Sequence, residues 1–336
     1  MVGKPINVPT TRRKGLWWGP CFRGDTVPWM SFADRLSSFP IVLEVVPPHR
    51  RATEKTVASL VKKVQDAVAS IPHLDALNIP EVLDENHAGL PFYRNVGPRE
   101  FARRLGLGQG VEAIVNKVVV HMDGMDDVTA WLRQAIEVDG LRNFILVGGS
   151  SSRVVYPGPD VVSANEGLRW LARGREDIVC GNITIPERQR EVERLLRKTR
   201  SGARFFTSQV LFEPEPISTV LSEYGEACAA EGLLPATVLL SFAPVADYED
   251  VEFLVWLGAT ITPETEEALL AHRGREAGRA SFDVARRIWT KIRDASTTSR
   301  HPVPIGVNVE EISVHNFDLA VRMAREFPAW KAAKAT

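Results

Sequence analysis

From residue 40 onward, short apolar runs rich in β-branched residues alternate with amphipathic stretches of helical period. The runs are Ile41–Val46, Ala76–Ile79, Lys117–His121, Asn143–Val147, Ile178–Ile183, Arg204–Leu211, Thr237–Phe242 and Ile305–Ile312. Runs that stay apolar at consecutive positions are buried on both faces, the mark of a parallel sheet. Between the first two runs, Val57, Leu60, Val61, Val64 and Val68 recur at helical steps and predict a helix over Thr53–Ala69. Asp126–Val138 opens with acids and Pro186–Thr199 with a first-turn proline, both suited to helix starts. Further helices are predicted near 160–173, 215–230, 248–256, 275–295 and 316–327, with an extra one around 263–272. Eight strands, each followed by a helix, predict an α/β fold of the (β/α)8 TIM-barrel type. The rival is a doubly wound open sheet, which often carries a phosphate loop after its first strand. Here that strand runs into Val46-Pro47-Pro48, which cannot form such a loop.

Ahead of this pattern, residues 1–38 read as an irregular arm in which Pro5, Pro9, Pro20 and Pro28 punctuate Trp17, Trp18, Trp29 and Phe32. So many rings are expected to leave water, so the arm is read as packed across the barrel. The sharper reading is a lid over the site, with Arg23 and Asp25 near a ligand. The barrel is assigned to 39–330 and a tail to 331–336.

Bulk properties narrow the function classes. A formal net charge of -1, from 41 basic and 42 acidic residues, gives no general attraction to nucleic acid or to an acidic membrane. No apolar stretch reaches the roughly 20 residues of a membrane helix. Cys21, Cys180 and Cys228 are far apart and odd in number, which fits a reducing compartment and no cysteine metal site. Lys4, Arg12, Arg13 and Lys14 have no apolar run behind them, so no secretory signal is read and a cytoplasmic location is expected.

In a barrel, chemistry gathers at the C-terminal ends of the strands. There the sequence offers Glu44, Asn78, His121, Asp123, Asn182, Thr184, Ser208, Gln209, Asn308, Glu310 and Glu311, with the turn Gly148-Gly149-Ser150-Ser151-Ser152-Arg153 after strand four. Glu44 stands out because it interrupts Ile-Val-Leu-Glu-Val-Val. A buried carboxyl without a cation is pushed toward its protonated form, which is what a general acid requires. The alternative is an ion pair with Arg50 or another basic neighbour. Gln209 carries a buried amide that both donates and accepts, suited to the amide edge of a pterin or a carboxamide; the alternative is a bond to nearby backbone. The Gly148–Ser152 turn can approach a phosphate or a pterin edge closely, or be a plain loop; it lacks a Walker lysine. Gly106-Leu-Gly108-Gln-Gly110 follows a helix rather than a strand, so it is not read as a dinucleotide fingerprint. His121 and Asp123 lack a further ligand at metal spacing, and no metal is expected.

The segment Glu44-Val-Val-Pro-Pro-His-Arg resembles the opening of methylenetetrahydrofolate reductases: Glu, two apolar residues, Pro-Pro and often Arg. Lys198 to Phe212 resembles that family's Lys-x-x-x-Gly-Ala-x-x-x-x-(Thr/Ser)-Gln-x-x-Phe, and Val120-His121-Met122 its strand-three His-(Leu/Met). Leu239–Val245 stands in the place of its apolar strand with a proline near the end, and the likeness spans about residues 40 to 327. The resemblance implies reduction of 5,10-methylenetetrahydrofolate to 5-methyltetrahydrofolate. It implies Glu44 as the acid that helps open the five-membered ring to an iminium ion, and Gln209 as a pterin contact near the hydride donor.

Departures from the pattern point to a branch. The family's Arg-Gly-Asp after strand four is Gly148-Gly149-Ser150 here, and its Thr-containing, Gly-rich segment after strand two is Asn78-Ile-Pro-Glu81. The Thr-Cys after its strand-three His is Asp123-Gly124. Several of these positions line the family's flavin site. Their loss argues against FAD and resembles a divergent, actinobacterial-type, flavin-independent branch that passes hydride directly from NADH or NADPH. The expected substrate contacts are then Gln209, Asn78, Ser150 and Asn182, with Ser150 or Asn182 replacing the missing Asp. His121, Gly148, Gly149 and Ser151 are expected to border the nicotinamide cofactor. The alternatives are an ordinary FAD-dependent reductase, a folate-binding or methyl-handling barrel without reductase activity, and a barrel hydrolase using Asp123 and Glu310.

Overall fold

The computed structural model describes residues 30–86, 89–108, 110–149, 154–272, 278–312 and 315–332. Arg23, Asp25, Ser150 and Ser151 lie outside these, as do most of the proposed arm and tail. The strands in chain order are β1 Ile41–Glu44, β2 Ala76–Ile79, β3 Asp84–Glu85, β4 Pro91–Phe92 and β5 Glu112–Val118. They continue with β6 Asn143–Val147, β7 Val179–Thr184, β8 Ala203–Val210, β9 Thr237–Phe242 and β10 Ile305–Val309. Eight of them close into a parallel barrel in the ring order β1-β10-β9-β8-β7-β6-β5-β2, while β3 and β4 form a small hairpin after β2. The expected (β/α)8 architecture is therefore present.

Helices α2 Glu54–Ser70, α3 Pro98–Leu105, α4 Gly124–Glu137, α5 Val161–Leu171, α6 Glu191–Ser201 and α7 Pro214–Ala230 follow the successive barrel strands, and α11 Phe317–Ala332 follows the last. Three helices, α8 Tyr248–Trp256, α9 Pro263–Leu270 and α10 Arg279–Thr298, fill the interval between β9 and β10. Local chemistry sets several starts. Thr53 caps α2 by accepting from the Thr56 N–H, and Asp160 caps α5 by accepting from that of Ser163. The α6 start differs from the expected Pro186. Glu191 instead accepts from the Thr184 hydroxyl at 3.0 Å and the Ile185 N–H at 3.2 Å, so the preceding residues form an anchored turn.

A second difference matters more for function. The third barrel strand begins at Glu112, not Lys117, and Val119–His121 is a single 3-10 turn. Glu112 and Asn116 are polar residues facing inward, so they broke the apolar run that betrays a strand.

The barrel interior has a closed floor. Before β1, the short helix α1 Phe32–Arg35 and the turn Leu36–Ser38 plug it from below. Ser31 and Asp34 form a capping box on α1, and the Phe32 N–H donates to Glu112 Oε1 at 2.7 Å. Phe32, Ala33 and Leu36 pack with Val42, Ala76, Ile114, Ile145, Val179, Phe205 and Leu239, one inward side chain from each of seven strands. Phe32 meets Phe205 edge-on at 5.5 Å between centroids. Gly181 fits this layer because a Cβ there would lie 2.4 Å from the Phe205 ring. The larger apolar cluster lies between the strands' outer faces and the helix ring.

Candidate functional site at the barrel mouth

Side chains alternate along a strand, so two residues beyond the floor the same strands face inward again. The alternation there yields Glu44, Asn78, Asn116, Val147, Gly181, Thr207 and Ser241, and β10 adds Asn308, the register partner of Val42. The floor residues are apolar, yet most of these are polar. Four of the mouth's buried polar atoms have no hydrogen-bond partner among the described residues: Asn78 Oδ1, Asn116 Oδ1, Thr207 Oγ1 and Asn308 Oδ1. A buried polar atom left unpaired costs about 1–3 kcal/mol, so such a cluster marks a surface built to meet something polar.

Glu44 ends β1 beside Asn78, its register partner on β2, whose amide donates to Glu44 Oε2 at 2.6 Å. Burial raises the Glu44 carboxyl well above its usual range, and the nearby Glu310 and Glu311 raise it further. The Asn308 and Asn78 amides pull the other way without cancelling this. Arg50, the suggested ion-pair partner, donates instead to the Asn95 carbonyl at 2.8 Å and lies over the Tyr93 ring. Glu310 is raised to about 7, mainly by burial, and so is Glu311, which accepts from the Val46 N–H at 3.1 Å and anchors the loop after β1.

Gln209 lies across the ring, on β8, where the pairing with β9 shifts register between Thr207 and Val210. Such an irregularity re-aims a side chain. Here the Gln209 amide donates to the Leu257 carbonyl at 2.9 Å, at the end of α8, and its own oxygen accepts from the Val210 N–H. Leu257 and Trp256 border a cavity of about 1110 Å³ over β5, β6 and β7, so Gln209 is tied to the rim of that cavity. Its bond to nearby backbone was the plainer of the two sequence readings.

The same cavity is bordered by Gly148, Gly149 and Asn182, and by Arg188, Arg194, Arg197 and Lys198. Lys198 donates to the Ile183 carbonyl at 2.6 Å; burial and the neighbouring arginines bring its amine down to about 8, against the opposing pull of Glu191. This wall is strongly cationic. The cavity is also bordered by Glu81, Asp84 and Glu85, each held by a basic residue: Lys117, Arg94 and His121 respectively. Gly149 has a packing reason of its own, since a Cβ would sit 2.1 Å from the Tyr156 ring.

Two expected site residues are placed differently. The Asn182 side chain faces outward, where its amide donates to the Leu146 carbonyl and exchanges hydrogen bonds with Asn165. It is therefore committed to strand–helix packing and is not offered to the mouth. The His121 ring is buried and bonded to Glu85 Oε1 at 2.9 Å, while the Tyr156 hydroxyl donates to Glu85 Oε2. His121 thus holds Glu85, which borders the cavity. Asp123 is exposed just before α4, so it supplies no buried acid for a hydrolase. Sequence reasoning missed Asn116 because the start of its strand was misread, and it missed Thr207 because that residue lay inside an apolar run. In both cases the signal was a polar residue in phase with inward apolar ones.

No family model and no curated protein matches the sequence. Among solved structures, the chain is similar to an uncharacterized protein from Clostridium thermocellum that binds two copies of 5-methyl-5,6,7,8-tetrahydrofolic acid. The two share 18% identity over 88% of this chain and 98% of that one, with a TM-score of 0.70. At that identity the likeness establishes the shared fold.

Proposed function

We propose that the barrel mouth binds a reduced folate and reduces 5,10-methylenetetrahydrofolate to 5-methyltetrahydrofolate at the expense of NADH or NADPH. The observation that carries this is Glu44: a carboxyl held by Asn78 whose charged neighbours among the described residues are acidic, set among inward polar atoms that lack partners among those residues. The sequence motifs around Glu44 and Gln209 and the folate-binding neighbour support the same reading.

The chain's own residues divide the work. Asn78, Asn116, Thr207 and Asn308 present donors and acceptors to the hydrogen-bonding edge of a pterin. Glu44, whose burial favours its protonated form, donates a proton to the ring nitrogen as its bond to the bridging carbon breaks. Gln209 orients the pterin from the opposite rim. Arg188, Arg194, Arg197 and Lys198 fit the phosphates of a dinucleotide, and Gly148 borders the same space. The nicotinamide ring, when bound, supplies the hydride; no flavin is assigned.

The test is an absorption spectrum of the purified protein followed by NADH and NADPH oxidation assays with methylenetetrahydrofolate. The expected result is a colourless protein that turns over. In Glu44→Gln the fold persists and turnover falls about 10²-fold or more. Near-wild-type turnover in that variant removes Glu44 from the mechanism, and a yellow protein releasing flavin restores the FAD-dependent alternative.

The neighbour's two bound folates favour a second reading, a folate-binding barrel without reductase activity. Calorimetric titration with 5-methyltetrahydrofolate separates the two: folate bound with no nicotinamide oxidation supports the binder.

A further inference from the structure

The last barrel strand brings a second carboxyl to the reactive wall. β1 and β10 pair in parallel with Val42 opposite Asn308 and Leu43 opposite Val309. One step further along this register, Glu310 falls beside Glu44 on the same inward side. Neighbouring strands are about 4.8 Å apart, so the two side chains share one wall. The Glu310 N–H donates to the Phe242 carbonyl at 2.8 Å, so the backbone stays in strand geometry there. Asn308, opposite Val42 and two residues before Glu310, acts on both: its amide donates to Glu310 Oε1 at 3.2 Å and to Ser241 Oγ at 3.3 Å, and its hydrogen bonding lowers the Glu44 pKa.

The surroundings of this pair are known from each side. β2 contributes Asn78, β9 contributes Ser241, and β10 adds Glu311, whose carboxylate is turned to the Val46 N–H. Lys63 on α2 acts on Glu311 and pairs with Asp318. Among the described residues, the charged groups acting on Glu44 are both acidic. No group of three metal-ligating side chains is assembled among the described residues.

We propose that Glu310 is a positioning residue for catalysis: Glu310 and Glu44 act as one acid dyad, in which the Glu310 carboxylate holds the transferable proton on Glu44. This rests on the reductase reading for its catalytic meaning. Two carboxyls on one poorly solvated wall resist becoming a dianion, so the second proton leaves only at raised pH. That proton is the one given to the substrate nitrogen. Afterwards the dyad carries two negative charges and is recharged by one proton from solvent, which restores the starting state. Asn308 keeps the carboxyls in register and is the bridge through which they sense each other.

The experiment is a carboxyl titration of the ligand-free chain, by 13C NMR with labelled glutamate, run on wild type, Glu310→Gln and Glu310→Asp. Wild type is expected to show two linked steps, both above the ordinary glutamate range. In Glu310→Gln a single step remains for Glu44, about one unit lower, as expected when a neighbouring negative charge is removed. Glu310→Asp retains two steps. Glu44 titrating identically in wild type and Glu310→Gln overturns the proposal, as does a wild type in which the two carboxyls titrate independently. The wild-type measurement alone decides the matter if the variant fails to fold.

Kinetics add the catalytic half. The alkaline limb of the kcat profile is expected to move to lower pH by the same unit in Glu310→Gln, with KM unchanged and rescue by Asp. One unit above the wild-type midpoint, this is a loss approaching tenfold. A shifted titration in a protein with no turnover leaves the dyad standing and sinks the reductase reading instead.

Discussion

The floor and the mouth of this barrel are built from the same strands, two residues apart, and are opposites in chemistry. Val42 on the floor gives way to Glu44, Ala76 to Asn78, Ile114 to Asn116, Phe205 to Thr207 and Leu239 to Ser241. On the floor, side chains interlock around Phe32 and Phe205, and the polar Thr237 donates to the Leu36 carbonyl, with Asn143 Oδ1 a single oxygen unpartnered among the described residues there. At the mouth, among the described residues, several buried oxygens lack hydrogen-bond partners, and the charged groups acting on Glu44 are the carboxyls of Glu310 and Glu311. The floor is arranged for stability and the mouth at its expense, as expected where a site must desolvate a ligand.

The comparison can be broken first on the floor. Phe205→Ala should cost about 3–5 kcal/mol of stability, the usual range for a buried Phe truncated to Ala. Chemical denaturation measures it, and turnover per folded molecule should stay near wild type. A large loss of turnover without loss of stability would mean that floor and mouth are not separable.

At the mouth the sign of stability with pH reverses the usual carboxylate behaviour. Glu311 titrates near 7 in the folded chain and near 4.5 when unfolded, so folding takes up protons between those values. Its stabilising share is fully present below about pH 4.5 and is lost as pH rises through 7. At about 1.4 kcal/mol per unit the swing is on the order of 3 kcal/mol. Melting temperatures taken from pH 5 to 8 should fall more steeply in wild type than in Glu311→Gln. Parallel curves would exclude Glu311 as a source of the slope.

The smallest expected effect concerns the cationic wall. Arg197→Gln should raise KM for the nicotinamide cofactor about tenfold, roughly 1.4 kcal/mol, within the range of one charged hydrogen bond. KM for the folate and the melting temperature should barely change. An equal rise in both KM values would mean that the arginines serve the folate instead.

Much of the barrel was legible because strand burial writes itself as apolar runs. The strands starting at Ala76, Asn143 and Thr237 were read to the residue. Legibility failed where inward residues are polar: Glu112 and Asn116 hid the start of β5, and with it a member of the site. Glu44 was legible for the converse reason, as one acid inside an otherwise apolar strand.

By itself, the sequence determined the alternation of strand and helix, and which strand ends carry carboxyls and amides, since both follow from local period and residue type. It could not decide which of those groups meet. Asn182 and Asn308 look alike in sequence, yet pleat and register turn one toward a helix and the other into the mouth. Only barrel closure sets β10 beside β1 and thereby two distant glutamates, Glu44 and Glu310, on one wall, because neighbourhood in a closed sheet depends on the whole ring.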